Sequence, residues 1–477
     1  MTIEILNTRI LSVLSIVLLV SQFSIFAQYG STGTIDTRSI GLARTSNAIS
    51  QGVYSIGINP ANLSIDQKSF IDFTTILPLP AVSLNSGTNF LTLNQFNYFF
   101  GGVNGEPRIL TQADKDKFNT LIEDGGLVFM NASVSILSFS INVNDEVGAF
   151  AFAIQDIAGA KLYLPSGVTD VAFNGNPVGK RFNLDDSNAK AWWIRNYSLS
   201  YSRNVVHPIT STFDRFTVGT SIKLIHGYSY IGTERFGANF TTGSSHEISG
   251  STNILGYSAF SDDFGVKYDF DSVSRKSSFS LFPSPAGIGY GFDFGLAATK
   301  DNWQFAFALT DLGQIVWNEN TASFTTFGEV YFDDLSNDAQ MDTLENRLTG
   351  ESNKINEFTT SLPSALRLGV SYKFEKDAVP GQLLLGFDFN QGFNNFPGNT
   401  KYPRFAIGAE WKPIDWVPYI RAGFSYSYEF GFNMGMGIGV DIKIVELHLA
   451  TSEVQTLVTP NHSKQLSLSF GSRWKIN

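Results

Sequence analysis

The sequence predicts an all-β protein that forms a closed antiparallel transmembrane β-barrel of about 14 strands. Three observations carry this prediction. Apolar residues alternate with small or polar ones along most of the chain, the alternating segments run to about ten residues or more, and their apolar faces are rich in aromatic residues at the ends. A soluble β-sandwich also alternates, but its strands are usually about five or six residues long. A sheet in hydrocarbon must close into a barrel, because no water is present to satisfy the backbone groups of an open edge.

Composition excludes several other classes of protein. The chain of 477 residues has 33 Lys and Arg against 43 Asp and Glu, a net charge of −10, and only 16% charged residues. Ordinary soluble proteins carry about 25% charged residues, so this low content argues against a soluble enzyme. The negative net charge argues against a nucleic-acid-binding protein. Because no apolar run reaches 18 residues, a helical membrane protein is also excluded.

Residues 1–27 are predicted to be a cleaved secretory signal peptide. Arg9 precedes the apolar run Ile10–Val20, which is too short to anchor the chain across a bilayer, and Ala27 is the small residue at the cut. An uncleaved anchor is the alternative, because Glu4 dilutes the basic end of the segment. The chain contains no cysteine, so disulfides cannot stabilise the exported protein.

Alternation marks the individual strands. The clearest example is Gly287–Ala297, where Ile288, Tyr290 and Phe292 fall on one face and glycines fall on the other. The same pattern predicts strands over residues 133–143, 147–157, 196–203, 216–225, 303–310, 366–374, 382–390, 404–411, 419–428, 432–444, 446–451 and 465–475. Weaker candidates at residues 70–76 and 90–100 bring the number of candidates to 15, in keeping with a predicted count of 14 ± 2 strands.

Two stretches do not fit the barrel pattern. Residues 28–66 are small, polar and Gly-rich, and they precede the predicted barrel of residues 67–477. Residues 318–358 form a long acidic loop, which we expect outside the membrane or inside the lumen. Its acidic residues include Asp333, Asp334, Asp338, Asp342, Glu345 and Glu351.

One short helix is predicted over residues 111–122. Thr111 can cap its N-terminus, and Asp114 stands at the third helical position that a capping box requires.

The string Gly57–Leu63 points to a family. Asn59 before Pro60 fixes a turn, because Asn tolerates unusual backbone angles and Pro locks the next φ. At this string the sequence resembles the FadL-type outer-membrane transporters and the related PorV-like barrels. That resemblance implies that residues 28–66 form an N-terminal hatch within the barrel lumen, with Asn59, Pro60 and Ala61 as its turn. An ordinary loop turn is the alternative.

Further segments resemble a family of such barrels found in Bacteroidota. The matching pieces are residues 289–295, 309–317, 362–363 and 419–424. The resemblance implies a location in the bacterial outer membrane. The residues themselves predict a structural motif at a strand end: Asp311 accepts bonds from the N–H groups that follow it, Gly313 permits positive φ, and Trp317 lies at a membrane interface. A ligand-contacting role for these residues is the less favoured alternative.

The sequence carries no recognisable catalytic chemistry. It has no cysteine nucleophile, and its five histidines are scattered without metal-ligand spacing. Acidic pairs such as Asp185-Asp186 lack the Gly and terminal Glu of a calcium loop, so we interpret them as solvated loop charges. His226 could act as a catalytic residue, but the sequence indicates no catalytic partner for it. We therefore predict no catalytic residue, no metal and no cofactor, and a protein that is not an enzyme.

The resemblance to FadL-type transporters implies passive uptake of small hydrophobic or amphipathic molecules. Phe393 and Phe396 are candidate apolar contacts for such a molecule, and membrane anchoring is the alternative role of their rings. The expected partners are outer-membrane lipids and a hydrophobic small molecule in the lumen. The competing hypothesis follows from the PorV-like resemblance: a non-transporting barrel that binds a secretion-system or envelope protein, with the acidic residues 318–358 as a docking site. No nucleic acid partner is expected.

Overall fold

The chain forms a closed antiparallel barrel of 14 strands with few helices, as the sequence predicts. The computed structural model describes residues 36–65, 69–205, 212–266, 280–333, 340, 350–375, 377–414, 416–428 and 431–476. The predicted signal peptide lies outside the described residues, as do residues 28–35 and 66 of the predicted hatch.

Neighbouring strands are antiparallel around the whole ring. In chain order the barrel strands are β1 Ile71–Thr75, β2 Ala81–Thr88, β3 Gly126–Asn144, β4 Gly148–Leu164, β6 Asn188–Asn204, β7 Arg215–Thr242, β9 Gly287–Lys300, β10 Trp303–Trp317, β13 Phe358–Ser361, β14 Ala365–Lys373, β15 Gln382–Gly392, β16 Arg404–Lys412, β17 Tyr419–Ser427, β18 Gly431–Asp441, β19 Val445–Thr451 and β20 Gln465–Ile476. β1 and β2 form one broken strand that pairs with β3 and β20, and β13 and β14 form another that pairs with β10. The ring therefore closes between its first and last strands, with Val82 opposite Phe470.

The alternation of residue types separates the two faces of the wall. On β9, Ile288, Tyr290 and Phe292 point outward with 53%, 62% and 40% of their surface exposed, while the glycines between them are buried. Small and polar side chains also occupy much of the lumenal face of β7 and of β6 beside it. An apolar outer face and a polar interior are the pattern of a barrel that stands in lipid.

The two ends of the barrel differ in their connections. Short turns such as residues 145–147 and 301–302 join strands at one end, which we call the short-turn end. Residues 89–125, 165–187 and 393–403 lie at the opposite, long-loop end. Transmembrane barrels of bacteria commonly carry short turns on the periplasmic side and longer loops outside the cell.

The predicted loop of residues 318–358 is more ordered than expected. It contains β11 Thr321–Phe332 and β12 Glu351–Lys354, which pair with each other. β11 also pairs along its whole length with β8 Ile248–Phe260, and β8 pairs with the end of β7, which extends beyond the barrel. These strands form a sheet at the long-loop end, to which β5 Arg181–Asn183 adds a short edge. Among the acidic residues, Asp334, Asp338, Asp342 and Glu345 lie outside the described residues.

Five helices lie in the described part of the chain: α1 Thr37–Gly41, α2 Leu93–Phe100, α3 Gln112–Leu121, α4 Ser166–Asn174 and α5 Gln455–Val458. The prediction of a strand over residues 90–100 is wrong, because Thr92 and Gln95 form a capping box that begins α2. No described helix combines the length and apolar character needed to cross a bilayer.

The helix predicted over residues 111–122 is confirmed as α3. The Thr111 N–H donates to Asp114 Oδ2 at 2.9 Å, and the Asp114 N–H donates to Thr111 Oγ1 at 3.3 Å. A hydrogen bond from the Tyr98 hydroxyl, together with the bonds from Thr111, lowers the pKa of Asp114 to about 2. The carboxylate that caps α3 therefore stays ionised at neutral pH.

Candidate functional site

Residues 36–65, which we call the lumenal segment, cross the inside of the barrel. Two short 3-10 helices, Gly52–Ser55 and Pro60–Ser64, follow α1 in this segment. The helix α1 contacts β17, β18, β19 and β20 on one side of the ring, whereas Pro60–Ser64 contacts β4, β6, β7 and β9 on the other. All residues of the segment are buried except the half-buried Arg38 and Gln51. A role of residues 28–66 as a movable hatch stays a prediction.

Glycines on the wall allow the lumenal segment to lie close against the strands. A β-carbon on Gly219 of β7 would overlap the backbone of Pro60 and Ala61, and one on Gly423 of β17 would overlap the backbone of Leu42. Other wall glycines that meet the segment in this way are Gly295, Gly369, Gly386, Gly408 and Gly435. Glycine is therefore required at these positions because the lumenal segment lies so close to the wall, and not because the backbone has an unusual conformation.

The predicted turn at Asn59, Pro60 and Ala61 is fixed to the wall. The side chain of Asn59 accepts a hydrogen bond from the Ala61 N–H at 3.0 Å and caps the 3-10 helix that Pro60 begins. Its amide nitrogen donates to the backbone oxygens of Leu296 on β9 and Phe307 on β10, at 3.2 and 3.3 Å. One side chain thus shapes the turn and also attaches it to two strands.

We expect Gly219→Val to push the turn away from the wall, because overpacking a close contact typically costs about 1–3 kcal/mol. A Ser64→Cys substitution beside the turn supplies a single thiol, since the chain has no cysteine and Ser64 is buried. A membrane-impermeant thiol reagent should label this cysteine much faster when Gly219→Val is also present. Gly237→Val is the control, because a β-carbon there meets no atom nearer than 3.6 Å. Equal labelling in the two backgrounds would contradict the close contact.

An ion-pair clamp joins α1 to the wall. Arg38 of α1 donates to both carboxylate oxygens of Glu410 on β16, each at 2.7 Å, and Arg421 on β17 donates to the same carboxylate at 2.6 Å. Arg421 also contacts the imidazole of His448 on β19 at 3.1 Å. One carboxylate therefore holds two guanidinium groups, one from the lumenal segment and one from the barrel.

A cavity of about 720 Å³ lies next to the clamp and opens toward the short-turn end of the barrel. Its charged lining includes Arg473, which binds Glu446 at 2.6 Å, and Lys475, which binds Asp441 at 2.7 Å. Positive and negative side chains line it in similar numbers, so the cavity suits water and polar groups better than a hydrocarbon. No group of three metal-ligating side chains occurs among the described residues.

An aromatic cluster fills the lumen at the long-loop end, and we call it the mouth cluster. Its five rings come from β6, β7, β10, β13 and the loop of residues 393–403. They are Trp192, Tyr230, Trp317, Phe358 and Phe396. Ring centroids are 5.3 Å apart for Trp192 and Phe396, and 5.5 Å apart for both Tyr230–Trp317 and Tyr230–Phe358. The mouth cluster belongs to the largest cluster of buried apolar side chains in the described residues, and it is the candidate site for a hydrophobic molecule.

The two phenylalanines selected from the sequence have different environments. Phe396 is only 8% exposed, because residues 396–400 turn into the barrel and Asn399 donates to the Ser364 carbonyl at 3.1 Å. Phe393 is 46% exposed. Phe396 thus lies within the candidate site, whereas the Phe393 ring lies outside the mouth cluster.

The position expected for Trp317 is wrong. The side chain is fully buried against Gly227 and Gly287, and its indole N–H donates to Thr360 Oγ1 at 2.8 Å. A ring enclosed by protein cannot lie at a membrane interface. The sequence pattern could not distinguish an inward from an outward tryptophan at the end of a strand.

The prediction that a strand ends at Asp311 and Gly313 is also wrong. β10 continues to Trp317, and the register with β9 shifts between Leu309 and Leu312. The positive φ of 56° belongs to Asp311, whereas Gly313 is required because a β-carbon would overlap the Tyr290 carbonyl. This bulge turns the Asp311 carboxylate into the lumen.

The Asp311 carboxylate forms a buried triad with Lys223 and Asp293. The ammonium of Lys223 on β7 lies 2.6 Å from Asp311 and 2.8 Å from Asp293 on β9. Along the lumenal face of β7, the contact at Gly219, this triad and the mouth cluster therefore follow one another toward the long-loop end. A buried triad of this kind is stable only because each charge has a close partner.

Sequence reasoning missed the clamp and the triad. A signal was nevertheless present, because Lys223, Glu410 and Arg421 occupy the small-residue face of their strands. A charge on the face opposite the apolar one predicts a lumenal position. The pairing itself could not be predicted, since Arg38 and Glu410 are 372 residues apart.

Glu453, in the loop after β19, gives an expected pH dependence. The side chain is buried, its Oε1 atom has no hydrogen-bond partner within the described residues, and burial raises the pKa to about 8. The folded state therefore retains the proton after the unfolded chain has lost it, so this group destabilises the fold progressively from about pH 4.5 to about pH 8. Glu453→Gln should flatten the pH dependence of the melting temperature in detergent. The exposed Glu123→Gln should not, and identical profiles for the two variants would contradict the assignment.

A closed barrel of antiparallel strands with an apolar outer face and a polar lumen defines the class of transmembrane β-barrels. Within that class, the chain belongs to DUF5723, described as a family of unknown function, which matches residues 60–452. The matched region begins at Pro60 and includes most of the barrel. No functionally curated protein matches the chain.

Several solved outer-membrane barrels are similar to this chain at low sequence identity. The toluene transporter TodX of Pseudomonas putida is 11% identical over 94% of this chain and 96% of its own, with a TM-score of 0.42. The translocator domain of autotransporter NalP from Neisseria meningitidis is 7% identical over 87% and 91%, with a TM-score of 0.29. A porin of Rhodopseudomonas blastica is 9% identical over 60% and 92%, with a TM-score of 0.20. The link to PorV-like barrels and to Bacteroidota stays a prediction.

Proposed function

We propose that the protein lies in the bacterial outer membrane and takes up small hydrophobic or amphipathic molecules without an energy source. The observation that carries this proposal is the mouth cluster, where the ring of Phe396 stacks on Trp192 at a centroid distance of 5.3 Å. Aromatic rings in a water-excluded site bind apolar molecules through the same area and ring contacts that hold the cluster together. The sequence resemblance to FadL-type transporters supports the same interpretation.

The proposed path has two steps. An apolar molecule first replaces the Phe396 ring against Trp192 and Tyr230, which the inward loop of residues 393–403 allows by moving outward. It then crosses the level of the lumenal segment, which must shift from the wall because it contacts strands on both sides of the ring. The charged cavity beyond this segment disfavours retention of an apolar molecule and so favours its release toward the short-turn end.

Binding of bromobenzene to the purified protein in detergent tests the first step. Bromine quenches nearby tryptophans, and Trp192 and Trp317 lie in the mouth cluster. Phe396→Ala removes the ring that competes with the ligand. We therefore expect saturable quenching with about fivefold higher affinity for bromobenzene, a gain equivalent in free energy to one aromatic contact. Phe393→Ala is the matched control, because this exposed ring lies outside the cluster. Absence of saturable quenching, or equal affinity in both variants, would contradict the proposed site.

A second candidate function is a non-transporting barrel that binds a secretion-system or envelope protein. The sheet outside the barrel favours it, because Phe327 and Tyr331 of β11 are 74% and 55% exposed. Native mass spectrometry of the protein purified from its own membrane separates the two candidates. A small apolar molecule bound to the barrel would support uptake, and a stoichiometric protein partner on an empty barrel would support the docking role.

A further inference from the structure

Two buried arginines form a row across the lumenal wall beside the lumenal segment. Arg367 of β14 and Arg404 of β16 are each 3% exposed. Asn390 of β15 lies opposite both of them in the register of the sheet. Because adjacent strands are about 4.8 Å apart, the two arginine backbones are separated by about 10 Å. Their side chains can therefore reach a common small ligand.

Most hydrogen-bond donors of these two arginines have no partner in the described part of the chain. These donors are Nε and Nη2 of Arg367 and Nε and Nη1 of Arg404. Arg404 Nη2 donates to the backbone oxygen of Arg44, in the lumenal segment, at 3.4 Å. The amide oxygen of Asn390 between the arginines is an acceptor, but it has no hydrogen-bond partner there and so does not satisfy either guanidinium. Buried guanidinium donors without acceptors destabilise the folded state, so we expect an acceptor to bind beside these two arginines.

The nearby carboxylates make their hydrogen bonds elsewhere, although one oxygen of each of Asp388, Asp293 and Asp311 has no hydrogen-bond partner in the described residues. Asp388, two residues before Asn390, accepts the N–H groups of Ser46 and Asn47 at 2.7 and 2.8 Å. Asp293 and Asp311 share Lys223. Within the described residues, neither arginine of the row forms an ion pair with a carboxylate at 4.0 Å or less. Two buried positive charges are thus left without a carboxylate partner at ion-pair distance.

We propose that Arg367 and Arg404 bind one tetrahedral oxyanion of the phosphate or sulfate class. Nε and a terminal nitrogen of one guanidinium make the bidentate fork that fits two oxygens of such an anion. A carboxylate has only two oxygens and is satisfied by a single fork, whereas a tetrahedral anion has further oxygens for the second guanidinium. Asn390 adds an amide that can donate to the same anion.

The bound anion would also connect the wall to the lumenal segment, because Arg404 already contacts the backbone of Arg44. This role does not depend on what the barrel transports. The oxyanion has two possible sources, free phosphate or sulfate and the phosphorylated head group of a lipid. Both present the same oxygens to the arginines, and the experiment separates them.

Calorimetric titration of inorganic phosphate into the purified full-length protein in phosphate-free detergent tests the site. We expect one saturable site in the unmodified protein and at least about tenfold weaker binding after Arg367→Gln and Arg404→Gln, because each removes charged hydrogen bonds. Arg235→Gln, at an exposed arginine of β7, is the matched control and should bind phosphate normally. The double variant Arg367→Lys and Arg404→Lys retains the charge but loses the fork, and should bind with intermediate affinity.

Native mass spectrometry of the same preparations identifies the source of the anion. A phosphorylated lipid that is bound to the unmodified protein and lost in the Gln double variant supports a head-group site, even if free phosphate does not bind. Saturable phosphate binding without such a lipid supports a free anion. The proposal is overturned if the unmodified protein binds neither, or if correctly folded Gln and Lys variants bind as tightly as the unmodified protein. Folding is checked by far-ultraviolet circular dichroism and by the heat-dependent gel mobility of the barrel.

Discussion

A disulfide formed after Thr37→Cys and Ser469→Cys is expected to reduce uptake of apolar molecules to the level of membranes that lack the protein. The hydroxyl oxygens of Thr37 in α1 and Ser469 in β20 are 2.7 Å apart, so the substituted sulfurs can bond without large backbone movement. The bond would tie the lumenal segment to the wall. If passage requires this segment to move, oxidation stops uptake and reduction restores it.

The chain supplies a matched control for this experiment. Ser200 of β6 and Ser221 of β7 face each other in register, with their hydroxyl oxygens 2.6 Å apart. Cysteines at both positions would join two wall strands and leave the lumenal segment free. Since the natural chain has no cysteine, each variant forms a single defined bond. Undiminished uptake through the oxidised Thr37→Cys/Ser469→Cys protein would mean that the segment is a fixed part of the lumen.

Glu410→Gln is expected to release α1 from the wall. Loss of the negative charge leaves Arg38 and Arg421 without the anionic partner they share, and an uncompensated buried charge typically costs about 3–5 kcal/mol. A Ser39→Cys substitution in α1 is the probe, because Ser39 is buried. We expect a water-soluble thiol reagent to label this cysteine at least about tenfold faster in the Glu410→Gln background, since local opening follows the lost free energy.

Glu234→Gln is the control for the clamp. It removes the partner of Lys190 in a pair whose carboxylate side chain is 35% exposed, and exposed ion pairs contribute little to stability. The labelling rate of the cysteine at position 39 should therefore remain unchanged. If Glu410→Gln leaves that rate unchanged as well, the clamp does not hold the segment, and the wall glycines alone would have to account for its position.

The strands were predictable from the sequence because the period of two survives in every wall segment. On β9 the alternation of Tyr290 and Phe292 with glycines directly reports which residues face lipid. The capping box of Thr111 and Asp114 was predictable for the same reason, since both signals are local. Where two local signals competed, as in residues 90–100, the apolar residues indicated a strand although the cap at Thr92 determines a helix.

The candidate site was only partly predictable, because its contacts join distant parts of the chain. Phe396 could be selected as an apolar loop residue, but its stacking on Trp192 depends on a loop that turns into the lumen. The clamp between Arg38 and Glu410 depends on how the Arg38 side chain of α1 reaches β16. The motif at Asp311 and Gly313 indicated a strand end, whereas the strand continues there through a bulge that changes its register.

Uptake by vesicles with a lipopolysaccharide outer leaflet tests the central claim most directly. The comparison is between vesicles with and without the protein, using a small aromatic hydrocarbon and a sugar of similar size. The account predicts faster entry of the hydrocarbon and no change for the sugar, because the lumenal segment and the mouth cluster fill the lumen that a porin would leave open to water. Entry of the sugar at a similar rate, or no acceleration of either probe, would contradict it.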